Sequence, residues 1–285
     1  MNVALWKKAW LDTRWQLAAS AAFLFVFLWL RVWLTSQVSL GQFRQILNLL
    51  PEKWERLSPV PFAQVATSAG RIALGYDEPL VLLVVSAWAL ARGSDAVSGE
   101  IGRGTMEMML AQPVRRTTLL WISAAGTLLG AALLSLASWL GLAAGIASVQ
   151  LEEPVTAAQF VPAAVNLFSL TACLAGLTTL VSSFGRERWR TLGAVGVIYV
   201  IEMSLKVIAR VNLSLNWLLE LTFFTAFEPQ VVASDPSQAW SWWVESGEGG
   251  EFGPMAYHGL LLALAAASYL LAAWIFSRRD VPAAL

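Results

Sequence analysis

The chain alternates long apolar runs with short polar connections. Crossing the hydrocarbon core of a bilayer takes about 20 consecutive apolar residues, and six runs come near that length. They are 17–34, 74–91, 119–149, 160–184, 192–209 and 256–276. The second run is interrupted at its outer end by Asp77, Glu78 and Pro79, and the third is long enough to require tilt or projection from the membrane. The pattern predicts an all-α integral membrane fold with six transmembrane helices.

The first apolar run is expected to be a retained span. It is too long for the core of a secretory signal peptide, which usually holds roughly 7–15 apolar residues. It also ends in Leu30-Arg31-Val32-Trp33-Leu34, which is a poor cleavage site. The preceding residues, 1–16, place Lys7 and Lys8 away from a face of apolar residues at helical spacing. That arrangement predicts an amphipathic N-terminal elbow helix at the membrane interface.

The two predicted external segments, 35–73 and 210–255, also contain amphipathic or aromatic pieces. In the first, Phe43, Ile46, Leu47 and Leu50 recur at helical spacing before Pro51. The second carries four of the 15 tryptophans, a residue type that prefers the membrane–water interface. These four are Trp217, Trp240, Trp242 and Trp243. External interfacial helices are therefore expected.

The distribution of Lys and Arg predicts the orientation. Cytoplasmic connections of membrane proteins are enriched in positive residues. With both termini on the inside, the cytoplasmic segments hold twelve Lys and Arg and the external segments hold four, with Arg31, Lys206 and Arg210 left unassigned near span ends. The prediction is a multi-pass protein of the cytoplasmic (inner) membrane with both termini in the cytoplasm.

Composition argues against a soluble domain, a nucleic-acid partner, a disulfide and a metal site. Only 13% of residues are charged, against roughly 25% in soluble domains. A net charge of zero gives no reason to expect a nucleic-acid partner. The single cysteine, Cys173, and the single histidine, His258, offer neither a disulfide nor a convincing metal site.

The connection 92–118, between the second and third spans, carries the strongest functional signal. Gly99, Gly102 and Gly104 permit sharp changes of backbone direction. Thr105 is a plausible N-cap for a short helix that Pro113 ends. Acidic Glu107 suits the first turn of that helix because it complements the helix dipole. Met106, Met109 and Leu110 are expected to form an exposed apolar patch on it.

Two functions fit such a short helix with a methionine-rich face. It suits a groove in a partner protein, and it also suits the surface of the inner leaflet. The residues alone leave both open.

The same connection resembles the cytoplasmic loop of the ABC type-2 transporter permease family. That family carries the run E-x-x-x-G-T-x-E-x-L-L-x-x-P-x-x-R. The matching residues are Glu100, Gly104, Thr105, Glu107, Met109, Leu110, Pro113 and Arg116, with Met in place of one Leu. Asp95-Ala96-Val97 resembles the family's D-A-I, and 276–280 resembles its closing F-x-x-R-D. The six-span layout agrees as well, so the resemblance covers the chain as a single permease domain, 1–285.

The resemblance implies a division of labour between chains. Such permeases pair with a second copy or a paralogue and bind two cytoplasmic ABC ATPase subunits, which hold ATP and magnesium. The matching residues of the loop, together with Met106, would form the coupling helix that sits in a groove of the ATPase. This sequence contains no G-x-x-x-x-G-K-[ST] phosphate loop, so it is expected to hold no cofactor and not to be an enzyme itself.

A second cytoplasmic contact with the ATPase is expected at the connection 185–190, through Arg186 and Arg188. The alternative is that these arginines only anchor the connection at the inner membrane surface.

Three ionisable residues, Glu202, Lys206 and Arg210, share one face of the fifth span. Ionisable groups inside a membrane are costly and usually face protein or a water-filled cavity. They predict either a polar patch lining a dimer interface or substrate path, or an ion pair between Glu202 and Lys206 that holds the structure together.

Two other classes of protein compete with a permease. An intramembrane enzyme or redox-complex subunit would need paired histidines, a cysteine cluster or two well-placed carboxylates. A secondary transporter would need broken helices and internal repeats. The sequence offers neither pattern, and it does not select a substrate within the permease family.

Overall fold

The structure is a computed structural model that describes residues 3–235, 237–246 and 249–279. Six helical stretches in this part are long and apolar enough to cross a membrane. They are Ala4–Gln37, Ser68–Gly102, Arg116–Ser148, Ala157–Phe184, Arg188–Val211 and Pro254–Arg278. The prediction of an all-α fold with six membrane-spanning helices is confirmed.

Shorter helices connect these stretches. In chain order the α-helices are α1 (Val3–Gln37), α2 (Leu40–Asn48), α3 (Glu52–Glu55), α4 (Phe62–Val65), α5 (Ser68–Asp77), α6 (Pro79–Ser94), α7 (Glu100–Gly102), α8 (Thr105–Leu110), α9 (Arg116–Ser148), α10 (Val161–Phe184), α11 (Arg188–Val211), α12 (Pro229–Ser234) and α13 (Pro254–Arg278). A π turn spans Asp95–Gly99, and 3₁₀ turns span Ala157–Phe160, Leu213–Glu220 and Phe223–Ala226. One antiparallel hairpin joins β1 (Trp243–Ser246) to β2 (Gly249–Phe252).

The first span is a single continuous helix, so the prediction of a separate elbow over 1–16 is not confirmed. No Gly or Pro occurs between Val3 and Gln37 to interrupt the helical hydrogen bonds. The polar residues of the first turns extend the spanning helix at its N-terminal end. Their amphipathic pattern is real, but it contains no signal for a bend.

The second span begins six residues earlier than predicted and is broken. Glu78 ends α5 with an extended backbone, and Pro79 occupies the first turn of α6, where a missing N–H costs nothing. Arg71, assigned from the sequence to the external segment, instead lies buried in α5. It donates a hydrogen bond to the carbonyl of Val38 at 2.7 Å and another to the carbonyl of Thr35.

The predicted amphipathic helix after the first span is confirmed as α2. Ser39 caps it by accepting a hydrogen bond from the backbone N–H of Gln42, whose side chain reaches back to Ser39. The helix ends at Asn48, before Pro51. Its first N–H donates to the carboxylate of Glu152 at 3.1 Å, which ties α2 to the connection after α9.

The fourth span is the centre of the bundle. Within the most apolar window of each span, 78% of residues are buried in the fourth span, against 22% in the first and 17% in the fifth. Helix α10 packs against α6, α9 and α13, and α1 packs along α9. Helices α1 and α11 therefore present most of their apolar surface to the outside of the bundle.

Contacts between connections define the two ends of the bundle. At one end, named here the terminal end, Lys8 contacts Glu100 and Arg279 donates to the carbonyl of Ser183. At the other, the opposite end, Glu153 accepts from the backbone N–H of Ser68 and Gln230 donates to Asp77. The connection 92–118 lies at the terminal end, beside both described chain ends.

Close approach of α1 and α9 depends on Gly141. A Cβ built there would lie 2.1 Å from the carbonyl oxygen of Phe25, whereas the nearest atom to a Cβ at Gly126, in the same helix, is 4.0 Å away. We expect Gly141→Ala to lower the free energy of unfolding by about 1–3 kcal/mol, because the backbones must separate. Gly126→Ala should be neutral or stabilising by up to roughly 1 kcal/mol. Thermal unfolding in detergent measures both, and equal midpoints would contradict the packing.

Candidate functional site

The connection at the terminal end begins with a π turn that two neighbouring helices hold in place. A π turn shifts the backbone hydrogen bonds out of the α register. Here the N–H of Ser98 donates to the hydroxyl of Ser182 on α10 at 2.8 Å, and that hydroxyl also contacts the carbonyl of Ser94 at 3.0 Å. The hydroxyl of Ser98 lies 3.0 Å from that of Thr191 on α11. The turn is thus fixed to both helices.

Glu100 is the centre of the connection's ionic contacts. Both of its carboxylate oxygens lie 2.8 Å from the ammonium of Lys8 on α1. The guanidinium of Arg103 donates to it at 3.1 Å, and the hydroxyl of Thr105 donates to it as well. The side chain is only 14% exposed. One carboxylate therefore joins the first helix, the π turn and the start of α8.

Asp95 forms a second ionic centre beside the first. It pairs with Arg92 at 3.5 Å, with Arg103 at 2.9 Å and with Arg188 on α11 at 3.2 Å. Arg103 bridges Asp95 and Glu100, so the two centres form one network. We call Lys8, Arg92, Asp95, Glu100, Arg103 and Arg188 the ionic network.

Gly104, and not Thr105, is the N-cap of α8. Its φ of 71° lies in the left-handed region, which glycine adopts without the steric cost that other residues incur. Thr105 is the first helical residue and turns its hydroxyl back to Glu100. The predicted N-cap was wrong because a glycine supplied the reversal of direction, leaving the threonine to bond the carboxylate. Glu107 is in the first turn of α8, as predicted.

The predicted exposed face of Met106, Met109 and Leu110 is wrong in part. Met106 is 1% exposed and packs with Val97, Leu120 and Phe276, while Met109 and Leu110 are half-buried against the same cluster. Met108, 66% exposed, points away from the bundle beside exposed Glu107. The apolar stripe of α8 is therefore mostly covered by this chain itself.

The remaining matched residues of the loop lie at the start of the third span. Helix α8 ends at Leu110, three residues before the exposed Pro113. Arg116 is the first residue of α9, and its guanidinium donates to the carbonyl of Arg279 at the end of α13. The closing motif 276–280 ends at Asp280, which lies outside the described residues.

The two arginines of the connection 185–190 are placed differently. Arg188 belongs to the ionic network and also donates to the hydroxyl of Ser94 at 3.2 Å. Arg186 is exposed to solvent near α7. Arg186 is thus the more accessible of the two, and Arg188 is engaged in contacts within this chain.

The fifth-span residues do not form the predicted Glu202–Lys206 ion pair. The ammonium of Lys206 lies 2.8 Å from the carboxylate of Glu228, which also pairs with Arg210. Lys206 further donates to the carbonyls of Phe224 and Phe227. The chain turns back after α11, which brings these two carbonyls and Glu228 to Lys206.

Glu202 caps a different element. Its carboxylate accepts a hydrogen bond from the backbone N–H of Phe223 at 3.2 Å, at the start of a 3₁₀ turn. Negative charge is favoured at that end of a helical turn. Glu202, Lys206 and Arg210 thus all contact the segment 222–228, which folds against the bundle at the opposite end.

Sequence reasoning did not identify several residues of these clusters as contact partners. Lys8, Arg92 and Arg103 counted only as positive charges of the inner side, Arg188 was expected at a second contact, and no pattern singled out Glu228. The fixed spacing of Glu100 to Thr105 hinted at a local bond. The partners on α1 and α11 lie far away in sequence and left no local signal.

These features define a multi-pass helical membrane protein with a structured connection between its second and third spans. The family described as ABC-2 family transporter protein matches residues 4–281, nearly the whole chain. The chain belongs to the ABC-2 transporter family, whose membrane-spanning permeases are transporter components that act with an ABC ATPase. No curated protein matched the chain in the search for relatives.

Proposed function

We propose that this chain is the membrane subunit of an exporter that is driven by separate ATPase subunits bound at its terminal end. In this proposal α8 is the coupling helix, and its exposed residues Glu107 and Met108 enter a groove of the ATPase. Arg186 provides a second contact with the ATPase. Arg188 makes no contact with the ATPase but holds the connection before α8 in place through its ion pair with Asp95. ATP and magnesium are held by the partner chains, since this sequence has no phosphate loop.

The ionic network is the observation that supports this proposal. It joins the residues just before α8 to α1, to α6 and to α11 through charge-assisted hydrogen bonds of 2.8–3.5 Å, and the hydroxyl of Thr105, the first residue of α8, donates to Glu100. Such bonds are stronger than neutral ones. A displacement of α8 by a partner would therefore move three spanning helices together.

The same proposal assigns the terminal end to the cytoplasm. The excess of Lys and Arg in the connections of that end follows the pattern of cytoplasmic loops. The protein would then lie in the cytoplasmic membrane with both termini inside. The apolar outer faces of α1 and α11 suit lipid and a second copy or paralogue of the chain.

The test uses two exposed apolar residues, one at each end. Met108→Asp is expected to reduce recovery of the ATPase subunits with the detergent-purified protein by about tenfold or more, because a charge enters the apolar contact. Mass spectrometry of the purified complex identifies chains that bear a phosphate loop, and Mg-ATP hydrolysis measures their activity. Leu49→Asp, at a position that is 84% exposed on the opposite end, should change neither.

The choice of Met108 matters because Met106 is buried. A charge at Met106 would unfold the cluster around Phe276 and would lower ATPase recovery without testing a contact. Undiminished recovery with Met108→Asp would contradict the coupling role of α8. Absence of any phosphate-loop chain from the wild-type complex would contradict the proposed function itself.

A further inference from the structure

A cavity of about 390 Å³ opens at the opposite end of the bundle. One wall is apolar and includes Phe43 and Leu47 of α2 and Phe62 of α4. The facing wall carries the charged residues Asp77, Lys206, Arg210 and Glu228. A pocket with mostly apolar walls and a few converging polar groups is the usual form of a small-molecule site.

The basic side of the charged wall has an excess of positive charge. Lys206 and Arg210 share the single carboxylate of Glu228. Lys206 is saturated, because its ammonium contacts that carboxylate and two backbone carbonyls. Arg210 uses a second nitrogen, Nη1, to donate to the carbonyl of Leu57 at 2.8 Å. Since a guanidinium has five N–H donors in a fork that suits phosphate, Arg210 retains donors for an anion.

The acidic side of the same wall has an excess of acceptors. The carboxylate of Asp77 accepts one hydrogen bond, from the side-chain amide of Gln230 at 2.7 Å. Gln230 is 5% exposed, and its carbonyl oxygen has no hydrogen-bond partner among the described residues. A buried acceptor without a donor is costly. That oxygen is enclosed by protein, whereas Asp77 lines the cavity and retains acceptor sites for a ligand with N–H donors.

The apolar wall belongs to the membrane interface. Helix α2 directly follows the first span and presents Phe43 and Leu47 to the cavity, with Ile46 exposed on another face. Lys206 lies five residues before the end of α11, about 7.5 Å along the axis at 1.5 Å per residue. The charged wall is therefore near the depth of lipid headgroups, with apolar surface beside it.

We propose that this cavity binds a zwitterionic phospholipid from the leaflet at the opposite end. Its phosphate contacts Arg210, its ammonium contacts Asp77, and the start of its acyl chains lies against Phe43 and Leu47. A purely anionic lipid would bring no cation to Asp77. The site does not depend on the proposed ATPase coupling, and it is tested without the ATPase.

The first test fills the cavity. Purified protein is titrated with dioleoylphosphatidylethanolamine, and native mass spectrometry measures the dissociation constant. Leu47→Trp places an indole against the apolar wall and is expected to weaken binding by about tenfold or more. Ile46→Trp adds the same ring at the preceding residue of α2, outside the cavity, and should bind as the wild type does. Equal affinities of the two variants would overturn the proposal.

The second test removes one charge without changing shape. The wild type is expected to bind the ethanolamine lipid about tenfold more tightly than dioleoylphosphatidylglycerol, and Asp77→Asn should abolish that preference. Lack of preference in the wild type, or a preference that survives in Asp77→Asn, would overturn the zwitterionic assignment. Soluble phosphoethanolamine should compete poorly, and competition at the affinity of the lipid would exclude the apolar wall from the site.

Discussion

Glu228→Gln is expected to lower the free energy of unfolding by roughly 3–5 kcal/mol, because removing one member of a buried ionic cluster takes from its two cationic partners the carboxylate that they share. The carboxylate of Glu228 is 7% exposed and serves both Lys206, 11% exposed, and Arg210, 17% exposed. Glutamine keeps the size of the side chain and loses the charge. Denaturation by SDS in mixed micelles measures the change, which should be the largest among single carboxylate-to-amide substitutions at the opposite end.

A control variant and a rescue variant distinguish the loss of the buried charge from nonspecific destabilisation. Glu220→Gln changes an exposed residue of the preceding 3₁₀ turn and should shift stability by less than about 0.5 kcal/mol. Adding Lys206→Met to Glu228→Gln removes one stranded cation and should recover part of the loss, since apolar replacements of buried ion pairs are often tolerated. A double variant that is no more stable than Glu228→Gln would contradict the account.

The spans could be predicted from the sequence because their signal is local. Each run is apolar over a length that only a membrane requires, and α2 was recognisable from the spacing of Phe43, Ile46 and Leu47. The break at Pro79 was visible for the same reason. The continuity of α1 could not be predicted, because an amphipathic pattern indicates which side of a helix is polar and not whether the helix bends.

Partners distant in sequence could not be predicted. The spacing of Glu202 and Lys206 favoured a pair within α11. However, the turns after α11 bring Glu228 to Lys206 and the N–H of Phe223 to Glu202. A buried cation is stabilised best where several acceptors converge, and a helix's own surface provides few of them.

The loop motif could be found, but the faces of α8 could not be assigned. Met106, Met109 and Leu110 form an apolar stripe whether that stripe faces this chain or a partner. Sequence periodicity does not tell whether such a stripe is covered by the same chain or by a partner. The packing of Met106 against Phe276 decides for the same chain and leaves Met108 outward. The candidate contact with a partner thus moves from Met106 to Met108.

Replacing Glu100 with glutamine is expected to destabilise the terminal end by about 2–3 kcal/mol, between the values for exposed and for fully buried ion pairs. The carboxylate is 14% exposed, while Lys8 is 39% exposed, so solvent screens part of the loss. Glutamine would turn an N–H₂ group toward the ammonium of Lys8 or toward the donors Arg103 and Thr105. Thermal unfolding measures the stability, and limited proteolysis between α7 and α9 measures the order of the loop.

A double-mutant cycle isolates the link between α1 and the loop. Lys8→Gln and Glu100→Gln, alone and together, should give a coupling energy of about 1–2 kcal/mol, because the two groups are in direct contact. Glu187→Gln is the matched control: it removes an exposed pair with Arg190 at 2.9 Å, which should contribute less than about 1 kcal/mol. If the effects of Lys8→Gln and Glu100→Gln on stability proved additive, no charge interaction would join α1 to the loop. The loop could then move without the first span. A measured coupling would make Glu100 the residue through which a push on α8 reaches α1.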